Sequence, residues 1–281
     1  MAGLNEPTPP RRARTRPSLG RRAILLVSAV YFAVPLLCAV LYTIDDPGAG
    51  FTLDAYTGIL DAPGFLPSLA MSLGLAATTT AVVLLILVPA MVAARLGGPR
   101  LRAVVEVVCS LPLVVPALAL AAGLTTVFKW GPDYLADTPF FATMIAIQNP
   151  SFPVVLVLAF VVLALPLAYR ALDTGLRALD VPTLMEAAQN NGASRIRAVV
   201  TVILPNLRGA LLSAIALTLA LVLGEFTVPS VLGFQTFAVW IVNSSNGAQG
   251  PVTIAISMIS LLLTWALLVV LSASGGPRHR A

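Results

Sequence analysis

Residues 186–205 read EAAQNNGASRIRAVVTVILP, a polar stretch in an otherwise apolar chain. It contains a glutamate, two adjacent asparagines, a glycine and two arginines, and long uncharged runs lie on both sides of it. A stretch of this polarity separates the apolar runs before it from those after it. It therefore marks a place where the chain meets water.

The composition identifies lipid as the solvent for most of the chain. Of the 281 residues, 58% are hydrophobic and only 10% are charged, whereas soluble domains carry roughly 25% charged residues. Uncharged runs recur at about 20 residues or more, the length that an α-helix needs to cross a bilayer. Because backbone groups in hydrocarbon must pair within the chain, these runs predict an all-α integral membrane protein.

Six transmembrane helices are predicted from these runs. The predicted spans are Ala23–Thr43, Ser68–Ala94, Ala103–Phe128, Pro153–Leu172, Gly209–Leu232 and Val252–Ser272. With six spans, both tails and the second and fourth connections share one side, and they hold 16 of the 17 Lys and Arg residues. The positive-inside rule then predicts that both termini are cytoplasmic. The outer side carries Lys129 together with Asp45, Asp46, Asp54, Asp61, Asp133 and Asp137.

The predicted spans divide the chain into four regions. These are an Arg-rich cytoplasmic tail at 1–22, expected to be disordered; a first helix and outer loop at 23–66; a core membrane domain at 67–272 with a cytoplasmic connection at 173–208; and a second cytoplasmic tail at 273–281. The arginines at helix ends explain the net charge of +5 as a determinant of topology. We therefore expect contact with the lipid bilayer and no binding of nucleic acid.

Residue patterns for catalysis, metal binding and nucleotide binding are missing from the sequence. The only histidine is His279, and Cys38 and Cys109 lie in separate predicted spans. Phosphate-binding loops, nucleophile elbows and HExxH motifs do not occur. We expect no catalytic residues, no metal and no cofactor, so active transport would take its energy from another polypeptide or from an ion gradient.

The first half of the 173–208 connection predicts a short helix. Asp180 stands where an N-cap belongs, Pro182 follows in the first turn, and Asn191-Gly192 is a strong helix stop. The residues predicted to share one face are Leu184, Ala187, Ala188 and Asn191.

A second helix is predicted to start near Ala193 or Ser194 and to break or kink at Pro205. Its predicted apolar stripe is Ile196, Val199, Val200 and Ile203. One interpretation of the two helices is an amphipathic hairpin lying on lipid headgroups. The Ala-rich first helix offers little apolar area for anchoring, which favours a docking surface for a partner.

The same segment resembles the EAA motif of permease subunits in binding-protein-dependent ABC importers, which reads EAA, three residues, G, nine residues, I, any residue, LP. Glu186-Ala187-Ala188, Gly192 and Leu204-Pro205 meet this pattern, and Val202 replaces the usual Ile. As in the family, the motif falls in a long connection before the penultimate helix. Further similarity at 111–124, 164–180 and 223–233 is of the kind found in the branch for polyamines, ferric iron, thiamine and 2-aminoethylphosphonate.

The resemblance implies a type I ABC importer permease fold (MetI-like) in a bacterial plasma membrane. In this family the segment forms a coupling helix that inserts into a groove on a cytoplasmic ATPase subunit. The implied coupling residues are Glu186, Ala187, Ala188, Gly192, Leu204 and Pro205. The implied partners are ABC ATPase subunits, a second permease subunit of the same or a different chain, and an extracytoplasmic solute-binding protein.

An intramembrane carboxylate marks a candidate solute path. Glu225 lies about 24 Å along the fifth predicted helix, a depth at which a carboxylate is costly and by default indicates a path or a partner. Pro229 frees the backbone carbonyl of Glu225, and Gly233 permits a further break, so a discontinuous helix is predicted. The path candidates are Glu225, Phe226 and Pro229. The alternative interpretation is a structural carboxylate, bonded to a neighbouring helix or to the second permease.

Local features of the third and fourth predicted helices concern packing. Arg102 and Glu106 have the (i, i+4) spacing of an ion pair. Pro112, Pro116 and Pro166 are predicted to kink their helices.

An ATP-independent secondary transporter or channel is the alternative function. It would need its own ion-coupling residues and usually an internal repeat. Six helices, a single deep carboxylate and the lack of a visible repeat count against it. A membrane enzyme is more distant, because no convergent catalytic set occurs. For the solute, the outer acidic residues and Glu225 favour a polyamine-like cation, with ferric iron, thiamine and 2-aminoethylphosphonate as alternatives.

Overall fold

Helices account for nearly all the regular structure in the described part of the chain. A computed structural model describes residues 19–46, 50–59, 61–245 and 250–275. Within these ranges the only strands are β1 (Asp45–Asp46) and β2 (Gly50–Phe51), which pair antiparallel. The all-α prediction is therefore confirmed, whereas the C-terminal tail after 275 and most of the tail at 1–22 lie outside the described residues.

The described residues form fourteen α-helices. These are α1 (Leu19–Ile44), α2 (Asp54–Thr57), α3 (Phe65–Leu96), α4 (Pro99–Ser110), α5 (Ala117–Tyr134), α6 (Pro139–Ala146), α7 (Val154–Arg177), α8 (Val181–Asn190), α9 (Arg195–Ala198), α10 (Leu204–Asn206), α11 (Arg208–Gly224), α12 (Thr227–Leu232), α13 (Phe237–Ser245) and α14 (Gly250–Gly275). Contacts divide the chain into two units, residues 1–52 and residues 53–281. The first contains α1 and the β1–β2 hairpin, and all later helices belong to the second.

Three described helices are long and apolar enough to cross a membrane. They are Ala23–Ile44 of α1, Phe65–Leu96 and Val154–Arg177, and they correspond to the first, second and fourth predicted spans. The number rises to five if each of two bent helix pairs is counted as one span. The sixth predicted span falls within α14, whose stretch Gly250–Ala266 is apolar but shorter.

The single helix expected over Ala103–Phe128 is instead broken. Helix α4 ends at Ser110, a 3-10 turn covers Leu111–Val114, and the chain resumes as α5 after a bend of 89° between the two parts. Pro112 is the second residue of the 3-10 turn, and Pro116 is the N-cap of α5. Since neither proline has a backbone N–H to donate, an uninterrupted hydrogen-bond ladder through 111–116 is unavailable. Helix α7, in contrast, continues through Pro166.

Helix α7 lies at the centre of the second unit and packs against α3 and α11. Its uncharged run from Val154 to Tyr169 is apolar on every face, which is typical of a helix surrounded by others. Leu156, Phe160, Leu172 and Leu176 are fully buried. They share one apolar cluster with Leu75 and Leu87 of α3.

A second apolar cluster lies at the other end of α3, where that helix begins. The rings of Phe65, Phe237 and Trp240 are in mutual contact, with centroids 5.8–6.1 Å apart. Trp240 donates its indole N–H to the carbonyl of Pro63, and the backbone N–H of Phe237 donates to the buried Ser72 hydroxyl at 2.8 Å. These contacts fix the start of α13 against α3.

Gly175 allows α7 and α11 to approach closely. A Cβ at this position would lie 2.4 Å from the Cβ of Ala210 and 3.2 Å from a methyl of Leu207. We expect Gly175→Val to destabilise the protein by about 1–3 kcal/mol, since backbone must move to relieve the overlap. Gly123→Val in α5 is the matched control, because a Cβ there meets no described atom within 4 Å. Equal melting temperatures for the two purified variants would contradict this packing.

Candidate functional site

The segment before residue 186 starts as the sequence predicts. Asp180 caps α8: one carboxylate oxygen accepts from the backbone N–H of Thr183 at 3.4 Å, and the other accepts from the Thr183 hydroxyl at 2.7 Å. Pro182 occupies the first turn, where a missing N–H is harmless. The N-cap prediction is confirmed.

Gly192 ends α8 in a left-handed conformation, with φ of +81°. Its N–H donates to the carbonyl of Gln189 at 2.8 Å, and the N–H of Ala193 donates to the carbonyl of Ala188 at 3.0 Å. This pair of bonds is a Schellman motif. Ser194 then caps α9 by accepting from the N–H of Arg197 at 3.3 Å, so the predicted stop and restart are both confirmed.

The face of α8 that packs inward differs from the predicted one. Val181, Met185 and Ala188 are buried in the apolar cluster of α3 and α7, whereas Ala187 and Asn191 are exposed. The predicted face is therefore wrong for Ala187 and Asn191. Val181 and Met185 bury more apolar area than Ala187, and their spacing rotates the helix so that they face the core.

The opposite face of α8 is polar, small and exposed. It carries Glu186, Ala187, Gln189 and Asn190. Of the remaining predicted coupling residues, Gly192 and Pro205 are exposed, Leu204 is half-buried and Ala188 packs inward. Glu186, Ala187 and Gly192 are thus all accessible to solvent, whereas Ala188 is not.

The second helix is less regular than predicted. A π-helical segment at Val199–Ile203 joins α9 to α10. Pro205 has no N–H for the carbonyl of Thr201, which explains the widened turn before it. The main break falls two residues later, at Leu207, where Arg195–Asn206 and Arg208–Gly224 meet at 78°.

The predicted stripe of this helix is half wrong. Ile203 is buried and Val199 is half-buried, but Ile196 is 78% exposed and Val200 is 54% exposed. Ala198 and Leu207 are buried in their place. Ala198 and Ile203 lie five residues apart, the spacing of a π-helical hydrogen bond, so the π-helical segment places both on the side that meets the core.

A groove of about 480 Å³ separates α8 from the end of α3. It is lined by Ala93, Leu96, Gly97, Pro182, Met185, Glu186, Gln189 and Arg195. Its apolar walls come from the end of α3 and from Pro182 and Met185. Its charges come from Glu186 and Arg195, which gives it both signs of charge.

Arg95, Asp173 and Arg177 form a charged cluster that the sequence pattern does not predict. Asp173 is 8% exposed. Its Oδ1 accepts from Arg95 Nη2 at 2.5 Å, and its Oδ2 accepts from Arg177 Nε at 2.6 Å. The (i, i+4) spacing of Asp173 and Arg177 is a visible signal, but Arg95 lies 78 residues away. In the described part of the chain, the expected pair of Arg102 and Glu106 does not form.

Glu225 lies at a helix break, as predicted, but the break falls at the carboxylate itself. Helix α11 ends at Gly224 and α12 begins at Thr227. The Oε1 atom of Glu225 accepts from the backbone N–H groups of Thr227 at 2.9 Å and Val228 at 3.2 Å. The carboxylate therefore caps α12, where it meets the positive end of the helix.

The other end of α12 confirms the second predicted break. Gly233 has φ of +81°, and the N–H of Phe234 donates to the carbonyl of Pro229 at 2.8 Å. Pro229 is buried, Glu225 is half-buried and Phe226 is 37% exposed. The three path candidates thus lie within one segment, at the break between α11 and α12 and in the first turn of α12.

A cavity of about 530 Å³ lies between α5 and the C-terminal end of α12. Its polar lining comes from Thr125, Lys129, Asp133 and Gln148. Among the described residues, no group of three or more His, Cys, Asp or Glu side chains is placed to hold a metal ion.

Comparisons with known proteins identify the family of the chain and a structure with a similar fold. Residues 86–275 match the family described as "Binding-protein-dependent transport system inner membrane component". A bacterial ABC transporter involved in the import of the acidic polysaccharide alginate has a similar solved chain, with a TM-score of 0.61 and 14% sequence identity over 90% of this chain and 94% of that chain. At that identity the likeness concerns the fold alone. No curated protein matches the chain.

Proposed function

The chain belongs to the binding-protein-dependent transport system inner membrane components, and from this membership we propose that α8 is the element through which ATP hydrolysis drives it. The chain is the permease subunit of an ABC importer, and hydrolysis belongs to a separate ATPase partner. Membership also implies a binding protein that delivers the solute.

One observation carries the proposal: α8 has two different faces. Val181, Met185 and Ala188 bury one face of it in the apolar cluster beside the end of α3, while Glu186 and Ala187 on the opposite face remain exposed. A partner that grips the outer face therefore pushes directly on the helices of the core. Gly192 sets the angle at which this face is presented, and Leu204 and Pro205 lead the chain back towards α11.

We further propose that the chain has six spans and that both termini are cytoplasmic. The contact of Arg95 and Arg177 with the same carboxylate supports this, since it brings the arginine-bearing ends of α3 and α7 to one end of the bundle. An arginine-rich end is the cytoplasmic end by the positive-inside rule. The membrane is then the plasma membrane of a bacterium, and a second permease, identical or different, completes the pathway.

For the solute, we propose a small polar cation of the polyamine type. Only Oε1 of Glu225 takes part in capping α12; within the described residues, Oε2 accepts no hydrogen bond. A carboxylate oxygen of this kind is a suitable partner for an ammonium group. Ferric iron, thiamine and 2-aminoethylphosphonate are the alternatives. Titration of the binding protein with polyamines tests the first choice, and failure to bind them would exclude it.

Glu225→Gln separates capping from charge. The amide oxygen can still accept from Thr227 and Val228, so we expect the fold to persist while uptake of a cationic solute falls by about tenfold or more. Glu225→Ala removes the cap as well and should also lower the melting temperature. Uptake at the wild-type rate in Glu225→Gln would remove the role of this charge in the path.

Co-purification tests the proposed function itself. An ATPase subunit should accompany the tagged chain from mild detergent, and deletion of that ATPase should stop uptake. Uptake that persists without the ATPase would instead indicate an ATP-independent secondary transporter or channel.

A further inference from the structure

Asp173 holds two helices at the base of α8. One of its oxygens faces Arg95 near the end of α3, and the other faces Arg177, the last residue of α7. Arg95 also approaches the backbone carbonyl of Asp173, with Nη2 3.5 Å from the oxygen. Both carboxylate oxygens are thus used, and Arg95 contacts side chain and backbone of the same residue.

The two pairs differ in their exposure to solvent. The side chains of Arg95 and Asp173 are 14% and 11% exposed, whereas the side chain of Arg177 is 57% exposed. An exposed pair contributes little because water competes for both charges. The link between α3 and α7 therefore depends on Arg95 and Asp173, and Arg177 is an accessory partner.

The cluster lies next to the helix proposed to contact the ATPase. Helix α8 begins at Val181, just after the turn that follows Arg177. Ala93, Leu96 and Gly97, which flank Arg95 in sequence, form one wall of the groove against α8. Met91 and Leu176 share the buried cluster that receives Met185. The base of α8 therefore lies against the end of α3 and follows α7 in the chain, and these are the two helices that Asp173 joins.

A buried ion pair fixes geometry in a way that apolar packing does not. Apolar surfaces slide at little cost, whereas a charged pair removed from water must keep both its distance and its hydrogen bonds. Replacing such a pair with apolar residues often leaves stability unchanged. The expected benefit of Arg95 and Asp173 is thus a fixed register between α3 and α7.

We propose that Asp173 is a positioning residue that ties the ends of α3 and α7 into one block with α8, so that a movement of α8 displaces both helices together. This proposal rests on the coupling role of α8 proposed above. Rigid elements with two discrete arrangements are the means by which distant sites become coupled. Without the pair, α8 would move α7 while α3 lags behind, and ATP would be hydrolysed with less solute moved.

The test is the number of solute molecules imported per ATP hydrolysed by the complete transporter in proteoliposomes. We expect Asp173→Asn to lower this ratio by about 3- to 30-fold, while the ATPase still co-purifies and hydrolysis continues. Arg177→Gln is the matched control, since it removes the arginine whose side chain is 57% exposed, and we expect a change of less than about twofold.

A second variant guards against loss of folding. Asp173→Asn leaves Arg95 buried without a counterion, which is destabilising. The double variant Arg95→Gln/Asp173→Asn removes both charges and should recover abundance and melting temperature, but its ratio should stay low. A ratio that returns to the wild-type value in the double variant would overturn the proposal, because the pair would then serve only to neutralise charge.

The outcome is separable from that of the proposed function. A wild-type ratio in Asp173→Asn, together with loss of uptake in Glu186→Arg, overturns the role of Asp173 and leaves that of α8 intact. Failure of any ATPase to bind the wild-type chain overturns the role of α8 instead.

Discussion

Gly192→Val is expected to abolish ATP-dependent uptake while the protein still inserts into the membrane. The φ of Gly192 is +81°, a conformation in which a β-branched residue is strained by about 1–3 kcal/mol. A Cβ at this position meets no described atom within 4 Å, so the effect arises from backbone conformation and not from a clash. Relief of the strain would open the Schellman turn and reorient the exposed face of α8 relative to α9.

Gly192→Asn is the control for this prediction. Asparagine tolerates the left-handed conformation better than any β-branched residue, so most of the uptake should remain. Membrane abundance is measured by immunoblot and uptake with labelled solute, with the cognate ATPase and binding protein present. Comparable uptake by the Val and wild-type proteins would show that the turn does not matter for coupling.

Glu186→Arg is expected to have a similarly large effect. Glu186 is exposed on α8 and shares a groove with Arg195, so reversal of its charge places like charges together where the ATPase is proposed to bind. The surface of the ATPase that is complementary to the Glu186 carboxylate would then face a cation. Placing like charges together at an interface costs several kcal/mol. We expect uptake to be lost and the ATPase to dissociate during purification.

Glu186→Gln keeps the size of the side chain and removes only its charge. We expect partial uptake from this variant, since an attraction is lost without a repulsion being added. The melting temperature serves as the control for folding, and it should be nearly unchanged in both variants because Glu186 is exposed. An ATPase that remains bound to Glu186→Arg, with normal uptake, would exclude α8 as the coupling element.

The caps and turns could be predicted from the sequence because their chemistry is local. Asp180 needs only the N–H groups of the following turn, and Gly192 needs only its own freedom to adopt positive φ. The interruption of the helix near Glu225 was likewise visible from Pro229 and Gly233. The position of the break cannot be predicted from these two residues. It depends on the side chain of Glu225, which accepts from the N–H groups of Thr227 and Val228 where backbone carbonyls would accept in a continuous helix.

Tertiary contacts account for what the sequence did not reveal. The predicted inward face of α8 is wrong because two stripes have helical spacing, Leu184, Ala187, Ala188 and Asn191, and Val181, Met185 and Ala188. The contact of α8 with α3 selects the second, which has the larger apolar area. Arg95 and Asp173 are separated by 78 residues, and Ser72 and Phe237 by 165. No pattern within a single sequence links positions so far apart. Asp173 contacts Arg95 because α3 and α7 pack side by side.

The central claim is that the exposed face of α8 contacts the ATPase, and site-directed cross-linking tests it most directly. Cys38 and Cys109 are first replaced by serine and alanine, respectively, and a single cysteine is introduced at the exposed Ala187. Tyr134→Cys, also exposed but at the far end of α5, is the matched control. We predict a cross-linked species of permease and ATPase from position 187 and none from position 134. Absence of the species from position 187 in a transporter that still imports solute would contradict the account.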